Sequence, residues 1–234
     1  MDLSGAFNQR QRDQWVAMQA AAVPAGSRVL DVGAGKGRYR SLFAHCDYKA
    51  QDFAQEPSTI GQYTALDYES DITAIPVADG SFDVILCTEV LEHVPEPIQA
   101  VQEMARILKP GGKLLLTAPL GAFLHQEPYH FYGGYTPHWY RRFLPLARFE
   151  VISIERNRGF FSWFGQESRR FHALIDPRRT WRTGWRWPLL TLLWTLTLPF
   201  CRLLLPAVAA YLDTLVLEEI ATIGYHVVGT RLSG

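Results

Sequence analysis

Apolar positions along this chain fall into short dense runs separated by stretches of helical spacing. Residues 29–32, 82–87, 113–118 and 149–155 are runs rich in Val, Ile, Leu and Phe, too short for helices and apolar at consecutive positions. Such runs predict strands covered on both faces, as in a parallel sheet packed between helices. Residues 48–53 form a further short strand, residues 63–67 a third, and residues 222–230 a last, β-rich one. Between them the spacing is helical. Residues 8–22 carry Trp15, Val16, Met18 and several alanines and stop at Pro24 and Gly26, while Tyr39, Leu42 and Phe43 make a helical stripe. A helix over residues 97–108 is started by Pro95 and Pro97 and ended by Pro110, Gly111 and Gly112. Strands alternating with helices over the first 150 residues predict an α/β fold built on a doubly wound sheet.

The chemistry gathers where the first strand turns. Residues 28–40 run from a buried strand into Gly33, Gly35 and Gly37, where the backbone can reverse tightly and a ligand can approach without meeting a Cβ. Asp31, at the strand's end, is expected to project into the crevice where open α/β sheets bind ligands. The spacing is Gly-x-Gly-x-Gly, and Arg38 stands where a dinucleotide fingerprint has its last glycine. An acid just before the glycines suits a ligand carrying positive charge, whereas a diphosphate needs a free helix N-terminus. Asp52 follows 21 residues after Asp31, about the separation of a carboxylate that hydrogen-bonds a ribose.

Composition narrows the classes. The 234 residues can bury a sizeable core, and one α/β domain with an elaboration fits better than two equal domains. The formal net charge is zero, so nothing global argues for nucleic acid. Three scattered cysteines, Cys46, Cys87 and Cys201, give neither a disulfide framework nor a zinc site, which fits a reducing cytosol and an expectation of no metal. Residues 1–14 are polar and do not form a signal peptide.

Taken in order, these signals resemble the Rossmann-like, class I S-adenosylmethionine-dependent methyltransferases, and within them the methyltransferase type 11 group. Residues 29–37 resemble the family's first motif, Asp52 its ribose acid, and Asp71 with Ile72 the pair that holds the adenine. Residues 82–85, 91–94 and 108–114 follow as further family signatures in their usual order. The resemblance implies a seven-stranded, mostly parallel sheet whose last strand, residues 222–230, is antiparallel. It implies S-adenosylmethionine as cofactor, with Asp31, Gly33, Ala34, Gly35 and Gly37 at the first motif. Asp52, Phe53, Asp71, Ile72 and Thr88 complete that binding set. Ala34 stands where many members carry Cys, but there the backbone does the work.

Residues 125–136 resemble an aromatic and histidine segment of methyltransferases that act in sugar and cell-envelope biosynthesis. His125 and His130 are the candidate bases and His93 a third, for methyl transfer to an oxygen of a small, lipid-linked or glycan-linked acceptor. Asp83 begins a strand away from the crevice and Glu92 anchors a helix start, so both read as structural. A nicotinamide oxidoreductase and a non-catalytic, membrane-docked binding protein are the alternatives from other classes.

Residues 156–220 are expected to be a helical insertion into a domain made of residues 1–155 and 221–234. Arg156, Arg158, Arg169, Arg170, Arg178, Arg179, Arg182 and Arg186 crowd its first half, with Trp181, Trp185 and Trp187 beside them. Residues 188–211 are then apolar, broken by Pro199, Arg202 and Pro206, and long enough to span a bilayer. A single crossing would strand the last strand on the far side. The remaining expectations for residues 160–215 are peripheral contact with the inner face of a membrane, or a lid and homodimer patch with no lipid.

Overall fold

The structure is a computed structural model and describes residues 7–57, 59–178, 181–215 and 221–233. Residues 1–6, Arg179 and residues 216–220 of the expected insertion lie outside the described residues, as do the side chains of Trp181 and Arg182. The chain divides into two compact units, Arg12–Arg156 with Gly224–Gly234, and Met1–Gln11 with Asn157–Ile223. Residues 7–11 therefore group with the helical unit and not with the sheet, Asn157 Nδ2 donating to Asn8 Oδ1 at 2.7 Å.

The sheet unit contains β1 (Arg28–Val32), β2 (Asp47–Asp52), β3 (Tyr68–Glu69), β4 (Phe82–Thr88), β5 (Leu108–Pro119), β6 (Phe149–Arg156) and β7 (Gly224–Arg231). They form one seven-stranded sheet in the order β3-β2-β1-β4-β5-β7-β6, in agreement with the expected Rossmann-like architecture. β7 enters antiparallel between β5 and β6, and the pairs from β3 to β5 are all parallel. Period-two alternation divides the core between the two faces. Leu30, Val32, Ile85, Cys87, Leu114 and Leu116 face one cluster, and Val29, Val84, Leu86 and Leu115 face the other. Trp15, Val16 and Ala20 of α1 (Phe7–Ala21) cover the second face, while α2 (Pro97–Ile107) and α3 (Pro137–Leu146) give Met104 and Tyr140 to the first.

Two sequence expectations are corrected. The stripe of Tyr39, Leu42 and Phe43 forms only a 3-10 turn, Arg40–Phe43, because the glycine turn uses up the start of a short link and the chain must re-enter the sheet at Asp47. Residues 63–67 are not a strand. Thr64 N–H donates to the Gly35 carbonyl at 2.9 Å, which draws that segment across the glycine turn, and the third strand begins only at Tyr68.

The helical unit contains α4 (Phe160–Leu174), α5 (Trp187–Pro199) and α6 (Leu205–Leu215), with a π-helical turn, Phe200–Leu204, joining the last two. Pro206 lacks the N–H that would close the ladder there, a usual cause of such a turn. Asp213 caps α4, its carboxylate accepting from the N–H groups of Gly159, Phe161 and Ser162, each at 3.1 Å. Ser168 Oγ donates to the Cys201 carbonyl at 2.9 Å, and His172 Nε2 bonds the Trp194 carbonyl at 3.0 Å. Outward, α5 keeps no buried residue, and Leu189 and Leu196 are 68% and 66% exposed.

Candidate active site

Strand order reverses at β1, whose neighbours β2 and β4 lead away in opposite directions, and the carboxyl ends of these strands are where such a sheet binds ligands. A cavity of about 470 Å³ opens there, within the range of small-molecule sites. Gly33 and Gly35 from the β1 turn, Asp52 at the end of β2 with Phe53 after it, and Asp71 with Ile72 line it. Glu89, Val90 and His93 after β4 complete one wall, with Tyr129 and Phe131 from the loop after β5.

The glycines are required by geometry. Gly33 has φ +69°, and a Cβ there would sit 2.4 Å from a methyl of Val90; Gly37 has φ +69° and a Cβ there would meet Thr64 Oγ1 at 2.7 Å. Gly35 also has positive φ, but a Cβ there would meet nothing within 4 Å. Its N–H donates to Asp52 Oδ2 at 2.9 Å, and Ala54 N–H donates to Oδ1 at 3.1 Å. Each oxygen of the buried Asp52 keeps a lone pair, an arrangement suited to two adjacent hydroxyls. Burial pushes the Asp52 carboxyl up, against the backbone donors that pull it down. Asp71 Oδ1 accepts from the N–H and hydroxyl of Thr73, at 2.8 and 2.7 Å.

Four expected binding residues are not on the cavity wall. Asp31 is 2% exposed and accepts from the Tyr48 hydroxyl at 2.5 Å, because strand alternation turns its side chain to the same face as Val29. The expectation that it projects into the crevice is thus corrected. Ala34 is buried, its N–H donating to the Gln51 carbonyl at 3.0 Å. Gly37 lies beyond the turn, against Thr64. Thr88 is the last residue of β4 and pairs with Thr117, while the wall is taken by Glu89. Sequence reasoning missed Glu89, although its place just past a central strand was the available signal. It has φ +54°, accepts from Thr117 Oγ1 at 2.9 Å and pairs with Arg12 at 3.1 Å.

Burial holds the Asp31 carboxyl up at about 7, above its ordinary 3.8, despite the Tyr48 hydrogen bond. A raised folded-state value gives stability that is complete below about pH 4 and is lost as pH rises through 7. Asp31→Asn keeps an acceptor for Tyr48 and removes that loss. Its urea stability relative to the natural protein should rise from pH 4 to pH 8 by up to about 4 kcal/mol. A difference independent of pH contradicts this.

The three histidines come together. His93 ends a 3-10 turn, Leu91–His93, and His125 and His130 lie on the loop after β5. Ring centroids are 4.8 Å apart for His93 and His125, 5.7 Å for His93 and His130, and 4.7 Å for His125 and His130. Only His93 of the three lines the cavity. The loop is pinned beside it, since the N–H groups of Phe131 and Tyr132 donate to the Glu92 carbonyl at 2.9 and 3.2 Å. Tyr135 Oη donates to the Leu91 carbonyl at 2.7 Å. Glu92 therefore anchors this segment through its backbone. Asp83 accepts from Arg28 N–H at 2.9 Å and Lys109 Nζ at 2.6 Å, far from this edge in the register of β4.

A fold of this kind could hold a dinucleotide or a sulfonium nucleoside, and the wall distinguishes them. Five carboxylates, Asp52, Glu56, Glu69, Asp71 and Glu89, line the cavity, with no lysine or arginine among the described residues. The glycine turn leads into a four-residue 3-10 turn and not into a helix whose N-terminus could take a diphosphate. The donor and acceptor set fits a nucleoside carrying positive charge.

Comparison with known proteins agrees with this geometry. The methyltransferase-domain family matches residues 30–116. A demethylmenaquinone methyltransferase of Renibacterium salmoninarum is 36% identical over 115 residues, covering 47% of this chain and 48% of the relative. A ubiquinone biosynthesis O-methyltransferase of Xanthomonas axonopodis pv. citri is 38% identical over 110 residues, covering 43% and 46%. The chain thus spans about half the length of the curated relatives it matches. An S-adenosylmethionine-dependent methyltransferase from Mesorhizobium loti shares the fold with a TM-score of 0.55 at 16% identity, over 93% of this chain and 97% of that one. Residues 30–116 thus match the methyltransferase-domain family, and the sheet topology agrees with that match.

Proposed function

We propose that the chain transfers the methyl group of S-adenosylmethionine to an oxygen of a small or lipid-linked acceptor of the hydroquinone type. The observation that supports this most is the acidic wall at the point where strand order reverses, free of lysine and arginine among the described residues. Bound there, S-adenosylmethionine supplies an electrophilic methyl on a sulfonium. Asp52 accepts from the ribose diol, held in place by the Gly35 and Ala54 N–H groups. Asp71 accepts from the adenine amine with the oxygen Thr73 leaves free, and Ile72 packs on the ring. Gly33 and Gly35 let the backbone reach the ligand, and Phe53 closes the wall against Tyr129 at 4.9 Å. Asp31, Ala34, Gly37 and Thr88 shape the turn and strand ends behind them.

His93, His125 and His130 stand beside that cavity to take the acceptor's proton. The oxygen acceptor is supported by the relative named as an O-methyltransferase of ubiquinone biosynthesis. Quinols with long apolar tails reside in lipid, and the helical unit suits a lipid surface. Residues 156–215 carry nine arginines against three acids and no lysine, next to the exposed leucines of α5. Gly184–Leu215 is long and apolar enough to cross a membrane, and the return of β7 beyond it to the sheet supports an interfacial position over a crossing.

One experiment tests both parts. Full-length protein is mixed with a labelled methyl donor and anionic or zwitterionic vesicles carrying a hydroquinone lipid, then floated. Label in the lipid extract and preferential recovery with anionic vesicles, weakened by salt, are expected. Cofactor binding without label in any acceptor fraction would favour the non-catalytic binding protein. Equal recovery with both vesicle types, or a stable dimer that never floats, removes the membrane half.

A further inference from the structure

The histidine cluster has a property that a single general base does not need. One ring nitrogen from each of His93, His125 and His130 lies within 4.8 Å of the other two. Nδ1 of His93 bonds the Tyr129 carbonyl, and Nδ1 of His125 bonds the Phe123 carbonyl at 2.7 Å. A carbonyl only accepts, so both Nδ1 atoms carry the proton and both Nε2 lone pairs are left free. This is the pattern that orients histidines on a metal, the second ring N–H tied to a backbone carbonyl. Nδ1 of His130 is buried without a hydrogen-bond partner. Beside His93, Glu92 is 1% exposed, with Oε2 unpartnered and Oε1 3.7 Å from His93 Nε2. A buried carboxyl with an unpaired oxygen is costly unless a cation is near.

We infer that His93, His125 and His130 form a binding site for a divalent transition-metal ion of the zinc class, with a fourth position open towards the methyl-donor cavity. Three neutral imidazoles select zinc, cobalt or nickel over magnesium or calcium, which prefer oxygen ligands. Tetrahedral coordination at about 2.0–2.1 Å needs nitrogens about 3.3 Å apart, so the cluster closes by roughly 1.5 Å. His125, exposed on its loop, has room to supply that movement. Three protein ligands with one open position is the arrangement of catalytic zinc. Its use rests on the methyl-transfer reading above. With the ion bound the three histidines act as ligands in place of bases: an acceptor hydroxyl on the open position loses its proton to solvent, and its oxygen pair forms the new bond to the methyl carbon as the carbon–sulfur pair leaves with sulfur.

The test is cobalt(II) titration of chelator-treated, full-length protein, followed by visible absorption and then by zinc competition. One ion per chain with a low-symmetry absorption band, displaced by zinc, is expected. His93→Ala and the surface variant His125→Ala should each weaken binding by at least about tenfold, since losing a ligand costs no less than losing its supporting hydrogen bond. S-adenosylhomocysteine binding, measured on the same samples, reports folding and the cofactor reading separately. No saturable band, or a band unchanged in both variants, in protein that still binds S-adenosylhomocysteine overturns the metal site. Cobalt bound by the histidines in protein that fails to bind the nucleoside upholds the site and removes its assignment to methyl transfer.

Discussion

Asp52→Asn is expected to weaken S-adenosylmethionine binding by about 100-fold or more while leaving the protein folded. A hydrogen bond to a charged acceptor contributes about 1.5–3 kcal/mol, and each 1.4 kcal/mol is tenfold in affinity. Asp52 is placed to make two such bonds to a diol while its own oxygens are held by the Gly35 and Ala54 N–H groups. The amide presents a donor where one of those groups needs an acceptor, so one ribose bond is lost and one backbone donor is left facing an N–H. Asp52→Ala removes both ribose bonds and should bind more weakly still. Calorimetric titration of each variant measures this, and an affinity within threefold of the natural protein would show that the diol binds elsewhere.

The second large effect is expected from Gly134→Ala, which acts on the histidine loop and not on the cofactor wall. Gly134 has φ +148°, and a Cβ there would lie 2.3 Å from the Leu120 carbonyl oxygen and 2.5 Å from that of Pro119. Both are backbone atoms, at the last residue of β5 and the one after it, and cannot rotate away, unlike the Val90 methyl that a Cβ at Gly33 would meet. Strain in that backbone region costs about 1–3 kcal/mol and overpacking a similar amount. The variant should lose of the order of 4 kcal/mol of stability, or displace the loop that carries His125 and His130. In the second case S-adenosylmethionine still binds, through Asp52 and Asp71, and methyl transfer is lost. Unchanged stability together with unchanged transfer would mean that the loop is not held by its contact with β5.

The sequence made the sheet readable because its signals are local. Val29, Leu30 and Val32 form a strand buried on both faces, and the glycines after them need positive φ wherever they are placed. Asp52 was legible from its separation from Asp31, and it does line the cavity. Asp31 was placed wrongly because strand alternation relative to the core, which decides its face, depends on neighbours that pattern alone does not fix. The segment around Thr64 was misread for a related reason: its Thr64 N–H bonds Gly35, a partner far along the chain, and it meets β2 only at its end, where Asp67 N–H donates to the Ala50 carbonyl. Glu89 and the meeting of His93 with His125 and His130 depend on two loops converging at one sheet edge. The spacing between those histidines in sequence is unlike any metal motif, and the cysteines that were counted instead play no part.

The central claim is that the acidic cavity beside β1 and β4 binds a sulfonium nucleoside and not a dinucleotide. Calorimetry of the full-length protein with S-adenosylhomocysteine, and separately with a reduced nicotinamide dinucleotide, tests it most directly. Saturable one-to-one binding of the first, weakened in Asp52→Asn, and no heat with the second are expected. Binding of the dinucleotide alone, or no heat with S-adenosylhomocysteine in folded protein, contradicts it.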